Sequence, residues 1–227
     1  MRENNEDFIE HDAALGVFVL ADGMGGLNAG EVASAEAVGA VMRYVRAEAA
    51  TLSGDAANVL QGAIVGANRF VHELAGQRKD YAGMGTTIVA AAVTETELVT
   101  AHVGDSRAYL YRDGNLARVT TDHSLVQRLV ATGVLSAEQA RRAPNRNIVT
   151  RALGVAGDIV CDINRVALEA GDMVMLCSDG LTDMLDDTAL AAVCAQHSTL
   201  EARVEAWLHG ALKAGGLDNI SVIVVAR

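Results

Sequence analysis

Apolar residues along this chain switch between two periods. Residues 16–21, "GVFVLA", form an unbroken apolar run of strand length bounded by turn signals, which predicts a strand. From Gly30 to Ala50 the period lengthens: Val32, Ala35, Val38, Val41, Met42 and Val45 recur at helical spacing, with Glu31, Glu36, Arg43 and Arg46 off the stripe. A second helix is predicted over about 55–75, with Val59, Ala63, Ile64, Ala67, Phe70, Val71 and Leu74 on one face. Short strand-like segments follow at 86–93, 97–103, 106–112 and 115–120, and "RDGN" at 112–115 reads as the hairpin turn between the last two. The pattern is helical again over 124–142, where Ser136 and Gln139 have the spacing of a capping box. Strands resume at 159–166 and 172–178, helices at 187–197 and 199–214, and a strand at 220–225 closes the chain.

Strands that arrive in adjacent runs favour antiparallel sheets over a doubly wound parallel one. The runs "MVMLC" and "SVIVV" look buried on both faces. The expected fold is therefore α+β, with two stacked, mainly antiparallel sheets flanked by helices in a four-layer αββα sandwich.

Composition narrows the function classes. Residues 1–227 hold one proline, Pro144, and no Gly/Ser-rich or Pro-rich linker, so a single domain is expected. A net charge of −11 argues against a nucleic-acid partner, because such binding needs Lys and Arg to neutralise phosphates. It leaves phosphate chemistry open where divalent cations cancel the carboxylates. Cys161, Cys177 and Cys194 form no C-x-x-C pair, which points to a reducing compartment. No apolar stretch approaches the roughly 20 residues of a membrane span, and the expected location is the cytoplasm.

The candidate chemistry lies in a repeated event: an aspartate at a strand edge, most often beside a glycine. "NNEDF" places Glu6 and Asp7 ahead of the first predicted strand, and "LADG" ends that strand in Asp22-Gly23. "VGDS" supplies Asp105, "CSDG" supplies Asp179, and "LDNIS" supplies Asp218. Each alone is an ordinary turn. Gathered on one rim of stacked sheets, five carboxylates cannot all ionise without cations. An all-oxygen donor set without a Cys or His cluster suits Mg²⁺ or Mn²⁺ rather than zinc. Two such ions make hydroxide available and clamp a phosphoryl oxygen, with Asp22 as the natural bridge and the Gly23 carbonyl as a further ligand. The residues alone point to a divalent-metal hydrolase.

The ordered motifs R-x-x-x-E-D (from Arg2), A-D-G-M-G-G (from Ala21), G-M-G-T-T (from Gly83), V-G-D-S-R (from Val103), S-D-G-L (from Ser178) and D-N-I-S (from Asp218) resemble the metal-dependent protein phosphatases. The resemblance is to the type 2C serine/threonine family in its compact bacterial form, and it runs from Arg2 to the C-terminus. It implies that Asp22 bridges two tightly bound ions and that Gly23 lends its carbonyl. Asp179 and Asp218 would hold one ion, and Asp7 the other, with Glu6 acting through water. Asp105 with Asp179 would bind a weaker third ion, and Arg2 would grip the substrate phosphate. Residues from about Ser124 to Ile148 would form a helical flap that influences substrate choice. The implied reaction is hydrolysis of phosphoserine or phosphothreonine by direct attack of a metal-bridging hydroxide, opposing a bacterial Ser/Thr kinase and its substrates, in a monomer.

Two positions depart from that pattern. Met24 stands where many eukaryotic relatives carry a histidine, and Ala143 precedes Pro144 where bacterial relatives often read His-Pro. His102 reads as a core or edge residue, and His123 as a turn or helix cap first and a substrate contact second. An esterase reading of Gly104-Asp105-Ser106 lacks an Asp-x-x-His near the end of the chain. The alternative from another class is a phosphoprotein-binding regulator on the same fold with little catalysis.

Overall fold

The computed structural model describes residues 4–25 and 29–227, so Arg2 lies outside the described residues. The first sheet runs in the order β1 (Asp7–Asp12), β2 (Val17–Met24), β4 (Ile88–Val93), β5 (Glu97–Val103) and β8 (Asp162–Ala167), with β3 (Gly85–Thr86) paired to the end of β2. The second runs β10 (Val222–Ala226), β9 (Met173–Cys177), β6 (Arg107–Arg112) and β7 (Asn115–Arg118). Every neighbouring pair is antiparallel.

Side-chain alternation along the strands builds the layers. In β2, Val17, Val19 and Ala21 face α1 (Ala29–Ala47) and α2 (Ala49–Gln77), where they join Val38, Val41 and Ile64. Leu20, between them, points the other way and meets Val89, Leu98, Leu110 and Leu176 in the layer between the sheets. On the far side of the second sheet, Tyr109, Met175 and Cys177 pack against Leu181, Leu190 and Trp207. Those three belong to α5 (Asp179–Thr182), α6 (Asp187–Gln196) and α7 (Leu200–Lys213). The expected αββα sandwich is what forms.

Local signals also hold. Asp113 and Gly114 carry φ of 48° and 81° in the "RDGN" turn, as a tight hairpin requires. Ser136 and Gln139 make the reciprocal capping box of α4 (Ala137–Arg142), and Ser124 caps α3 (Leu125–Ala131). The 124–148 segment is closed at its neck: Leu125 N–H donates to the Ile148 carbonyl at 2.8 Å, and Ser124 bridges Val149.

Three elements differ from the sequence reading. Asp7 does not precede the first strand but begins it, since "DFIEHD" is an edge strand whose outer position leaves Phe8 and Ile9 exposed. Its mixed polarity carries no apolar run to announce it. The second helix starts at Ala49, ahead of the predicted Asp55, because two helical segments run together across a kink with Asp55 at φ −149°, ψ 62°. Finally β10 is only half-buried, being the edge of its sheet, whereas β9 beside it is fully buried.

Candidate active site

The five aspartates reach one place from five segments. Asp22 lies in β2 and pairs in register with Asp7 of β1. Asp105 occupies the β5–β6 turn, Asp179 opens α5, and Asp218 sits in the loop before β10. Asp22 is half-buried, and its pKa is pushed well above the carboxylate range, first by desolvation and then by Asp179, Asp7 and Asp105. Asp105 is pushed up to about 8 by burial, then by Asp179 and Asp122. Asp179 is pushed up to about 6 by burial and Asp183, with Asp218 and Asp7 adding to it, against a hydrogen bond with Asp22 that pulls it down. The carboxylates therefore repel one another where water cannot screen them.

Neighbouring polar groups fix this unfavourable cluster in place. Asp22 N–H donates to Thr87 Oγ1 at 3.0 Å, while the Asp22 carbonyl accepts from Thr87 N–H at 2.8 Å and Thr86 Oγ1 at 2.9 Å. Asp7 Oδ2 accepts from Ser178 Oγ at 2.8 Å, and that hydroxyl accepts from Ser221 N–H at 3.0 Å. The Asn219 side chain accepts from Glu6 N–H at 3.0 Å and donates to the Asn4 carbonyl at 3.1 Å, tying the two ends of the described chain together. Gly23 N–H donates to the Glu6 carbonyl at 3.0 Å, and a Cβ at Gly23 would overlap the carbonyl oxygens of Gly30 and Glu6. Glycine is required here by close backbone approach. From sequence, Thr86 and Thr87 fall in the strand predicted at 86–93, and Ser178 opens the S-D-G-L motif with no role of its own. The G-M-G-T-T and S-D-G-L motifs contain these hydroxyls, but the motifs do not show which aspartate each one fixes.

Asp179 Oδ1 is buried with no hydrogen-bond partner among the described residues. An unpaired buried carboxylate oxygen on Asp179, beside the raised carboxyls of Asp22 and Asp105, matches what a hard divalent cation requires: oxygen donors and negative charge. The residues present fit such ions.

A second group of donors, His102, His123 and Asp162, holds ligand atoms within 4.8 Å of one another. It serves a different purpose. The imidazoles stack at 4.7 Å with planes 16° apart, so their in-plane lone pairs run side by side rather than converging. Arg151 Nη1 lies 3.0 Å from Asp162 Oδ1 and 3.2 Å from His123 Nε2, so a guanidinium already stands where a cation would.

Between the 124–148 segment and α5–α6 lies a cleft of about 500 Å³, with Asp105 and Asp179 among its walls. Two arginines of the 124–148 segment are engaged there, Arg146 with Asp183 at 3.4 Å and Arg141 with the Thr182 carbonyl at 3.4 Å, while Arg142 pairs with Glu138 at 3.0 Å on the exposed surface. Among the described residues no helix is long and apolar enough to cross a membrane.

Comparison with known proteins places this arrangement. A family model described as protein phosphatase 2C matches residues 2–213. The serine/threonine phosphatase stp of Listeria monocytogenes is 38% identical over 231 residues, which cover 100% of this chain and 92% of that protein. The Staphylococcus aureus serine/threonine phosphatase Stp1 superposes with a TM-score of 0.93 at 35% identity, covering 100% of this chain and 90% of that one. A structure of the PstP catalytic domain in complex with two manganese ions gives a TM-score of 0.87 at 34% identity, covering 99% and 92%. With the fold, the full-length match and the clustered carboxylates in agreement, the chain belongs to the protein phosphatase 2C family, the metal-dependent serine/threonine protein phosphatases.

Proposed function

We propose that the five aspartates form the catalytic centre of one domain spanning residues 1–227. In it, Asp7, Asp22, Asp179 and Asp218, with the Gly23 carbonyl, hold two divalent cations, and Asp105 with Asp179 holds a weaker third. Manganese and magnesium both suit this donor set. Bound there, the cations supply Lewis acidity, making water a nucleophile at neutral pH and offsetting charge on the phosphate oxygens.

The chain's own residues orient that chemistry. The threonine pair fixes Asp22 at the end of β2, and Ser178 turns Asp7 toward it. Asn219 holds Glu6 where its carboxylate lies over Gly30 at the start of α1, a position suited to acting through water. Arg2, outside the described residues, is the candidate grip on the phosphate, since a guanidinium fork matches phosphate geometry. No side-chain nucleophile is needed, so no phosphoenzyme forms on this reading. The substrates are phosphoserine and phosphothreonine proteins in the cytoplasm, including those of an opposing Ser/Thr kinase, and the 124–148 flap contributes to choosing among them.

The observation that carries this reading is the convergence of five aspartates from separate segments, with the carboxyls of Asp22, Asp105 and Asp179 driven upward by burial and by neighbouring carboxylates. The experiment is phosphate release from a phosphothreonine peptide by wild type and Asp22→Asn, with Mn²⁺ and with EDTA. Release that needs Mn²⁺ and vanishes in Asp22→Asn is expected. No release from folded, Mn²⁺-loaded wild type turns the reading toward a phosphoprotein-binding regulator.

A further inference from the structure

His123 has no part in the centre described above, yet it joins three passes of chain. Its backbone N–H donates to the Gly104 carbonyl at 2.8 Å, and its ring Nδ1 accepts from Gly104 N–H at 3.2 Å. Its own carbonyl accepts from Thr150 N–H at 2.7 Å. One buried residue thus holds both peptide groups of Gly104 and also the returning end of the 124–148 flap. Because a backbone N–H can only donate, Nδ1 presents its lone pair to Gly104, while Nε2 faces Asp162 Oδ2 at 3.4 Å and Arg151 Nη1 at 3.2 Å. His102 stacks against the ring, and its Nε2 lies 2.9 Å from the Thr121 carbonyl two residues before His123.

The turn so held is the one that carries Asp105. Gly104 has φ +108°, and a Cβ there would run into Thr87, so the backbone has no slack on that side. Beyond Asp105, Ser106 Oγ meets Thr87 Oγ1 at 2.7 Å, and Thr87 in turn fixes Asp22. Asp105 therefore sits between two anchors, one tied to Asp22 and the other to the neck of the flap.

We propose that the His123 imidazole is a positioning residue for Asp105: its Nδ1 bond to Gly104 fixes the aspartate's backbone and couples that position to the base of the flap. This rests on the reading above that Asp105 serves the reaction. A ring that merely filled space would tolerate any polar residue of similar size. A positioning ring demands an acceptor at the δ position, and that difference is testable.

The test compares His123→Asn, whose Oδ1 falls where Nδ1 was, with His123→Gln, whose acceptor lies one atom further out. Each is assayed with para-nitrophenyl phosphate at saturating Mn²⁺, alongside Asp105→Asn and the double variant His123→Gln/Asp105→Asn. Hydrogen exchange of the Gly104 amide is followed in each. We expect His123→Gln to lose roughly tenfold in kcat with KM unchanged and faster exchange at Gly104, and His123→Asn to restore both. The double variant should be no worse than Asp105→Asn alone, since the two act through one position. Losses that multiply in the double variant, or equal behaviour of Asn and Gln, overturn the proposal. Full activity of His123→Gln beside an impaired Asp105→Asn overturns it while sparing the role of Asp105. Full activity of Asp105→Asn removes that role first, and this proposal with it.

Discussion

Asp7 stands directly opposite Asp22 across the β1–β2 ladder. Like charges facing each other on adjacent strands destabilise a sheet, and here Asp7 is buried and Asp22 half-buried, with Asp179 and Asp105 adding to the repulsion on Asp22. A sheet shaped by stability alone would place an apolar or oppositely charged pair at this register. On the proposal that these carboxylates hold cations, the cross-strand pair is a local sacrifice of stability that the cations compensate.

Asp22→Asn should therefore separate stability from activity. Without metal, removing a carboxyl raised by burial and by its acidic neighbours relieves burial of charge, so thermal denaturation in EDTA should show the variant more stable than wild type. A gain of about 1 kcal/mol corresponds to roughly 2–4 °C in a chain of this size. Phosphate release should fall on the order of 10²-fold or more, since charge stabilisation at the reacting phosphate is lost. A variant less stable than wild type in EDTA would contradict the account of the cluster as strained.

Metal removal should have the mirror effect. Cations bind the folded cluster and find no equivalent site in the unfolded chain, so Mn²⁺ stabilises by mass action, about 2.7 kcal/mol at a hundredfold excess over its Kd. The melting temperature should rise with Mn²⁺ concentration in wild type and respond far less in Asp22→Asn. EDTA should abolish phosphate release, and added Mn²⁺ should restore it. A melting temperature indifferent to Mn²⁺ would mean the aspartates do not hold it.

Most of this fold could be read from periodicity, because the long apolar stripes of α1, α2 and α7 and the runs in β2, β4 and β9 have no competing explanation. The strand β1 escaped because an edge strand with one exposed face and acidic residues at both ends lacks an apolar run. The aspartates were legible through their glycine neighbours and the order of the motifs. Thr87, Ser178 and His123 acquire their roles only through contacts 65, 171 and 19 residues away in sequence, which no local pattern encodes.

A pH dependence of stability follows from a pair remote from the site. Asp172 is buried and receives Arg112 Nε at 2.8 Å and Nη2 at 2.6 Å, together with Glu169 N–H at 2.7 Å. The hydrogen-bonded Arg112 guanidinium holds its carboxyl below the ordinary value, against the opposing effect of burial. A carboxyl depressed in the folded state contributes stability above its unfolded pKa of about 3.9, and that contribution disappears as pH falls through the lower folded value. Asp172→Asn should therefore have a lower urea midpoint than wild type at pH 7, with the gap narrowing below about pH 4. A gap that widens on acidification would reverse the sign and refute the assignment.

The last prediction concerns the close approach that brings Asp179 and Asp218 together. Gly180 follows Asp179 in α5 and is buried; a Cβ at this position would overlap the Asn219 carbonyl oxygen and lie 3.4 Å from Asp218 Cβ. The obstacle is backbone on the facing loop, so no rotamer change can accommodate it, and the two segments must move apart. Gly180→Ala should cost about 1–3 kcal/mol through overpacking. It should also lower phosphate release by roughly 10–100-fold by spreading Asp179 from Asp218, as loss of supporting geometry around a metal does. Gly66 provides the contrast: it is exposed within α2 and has nothing within 4 Å of its added Cβ. There the same substitution relieves the entropic cost of glycine in a helix and should add about 0.5–1 kcal/mol while leaving turnover unchanged. Thermal melts and phosphate release on both variants decide the matter. Wild-type melting and turnover in Gly180→Ala would show that the two loops do not need to touch for the centre to form.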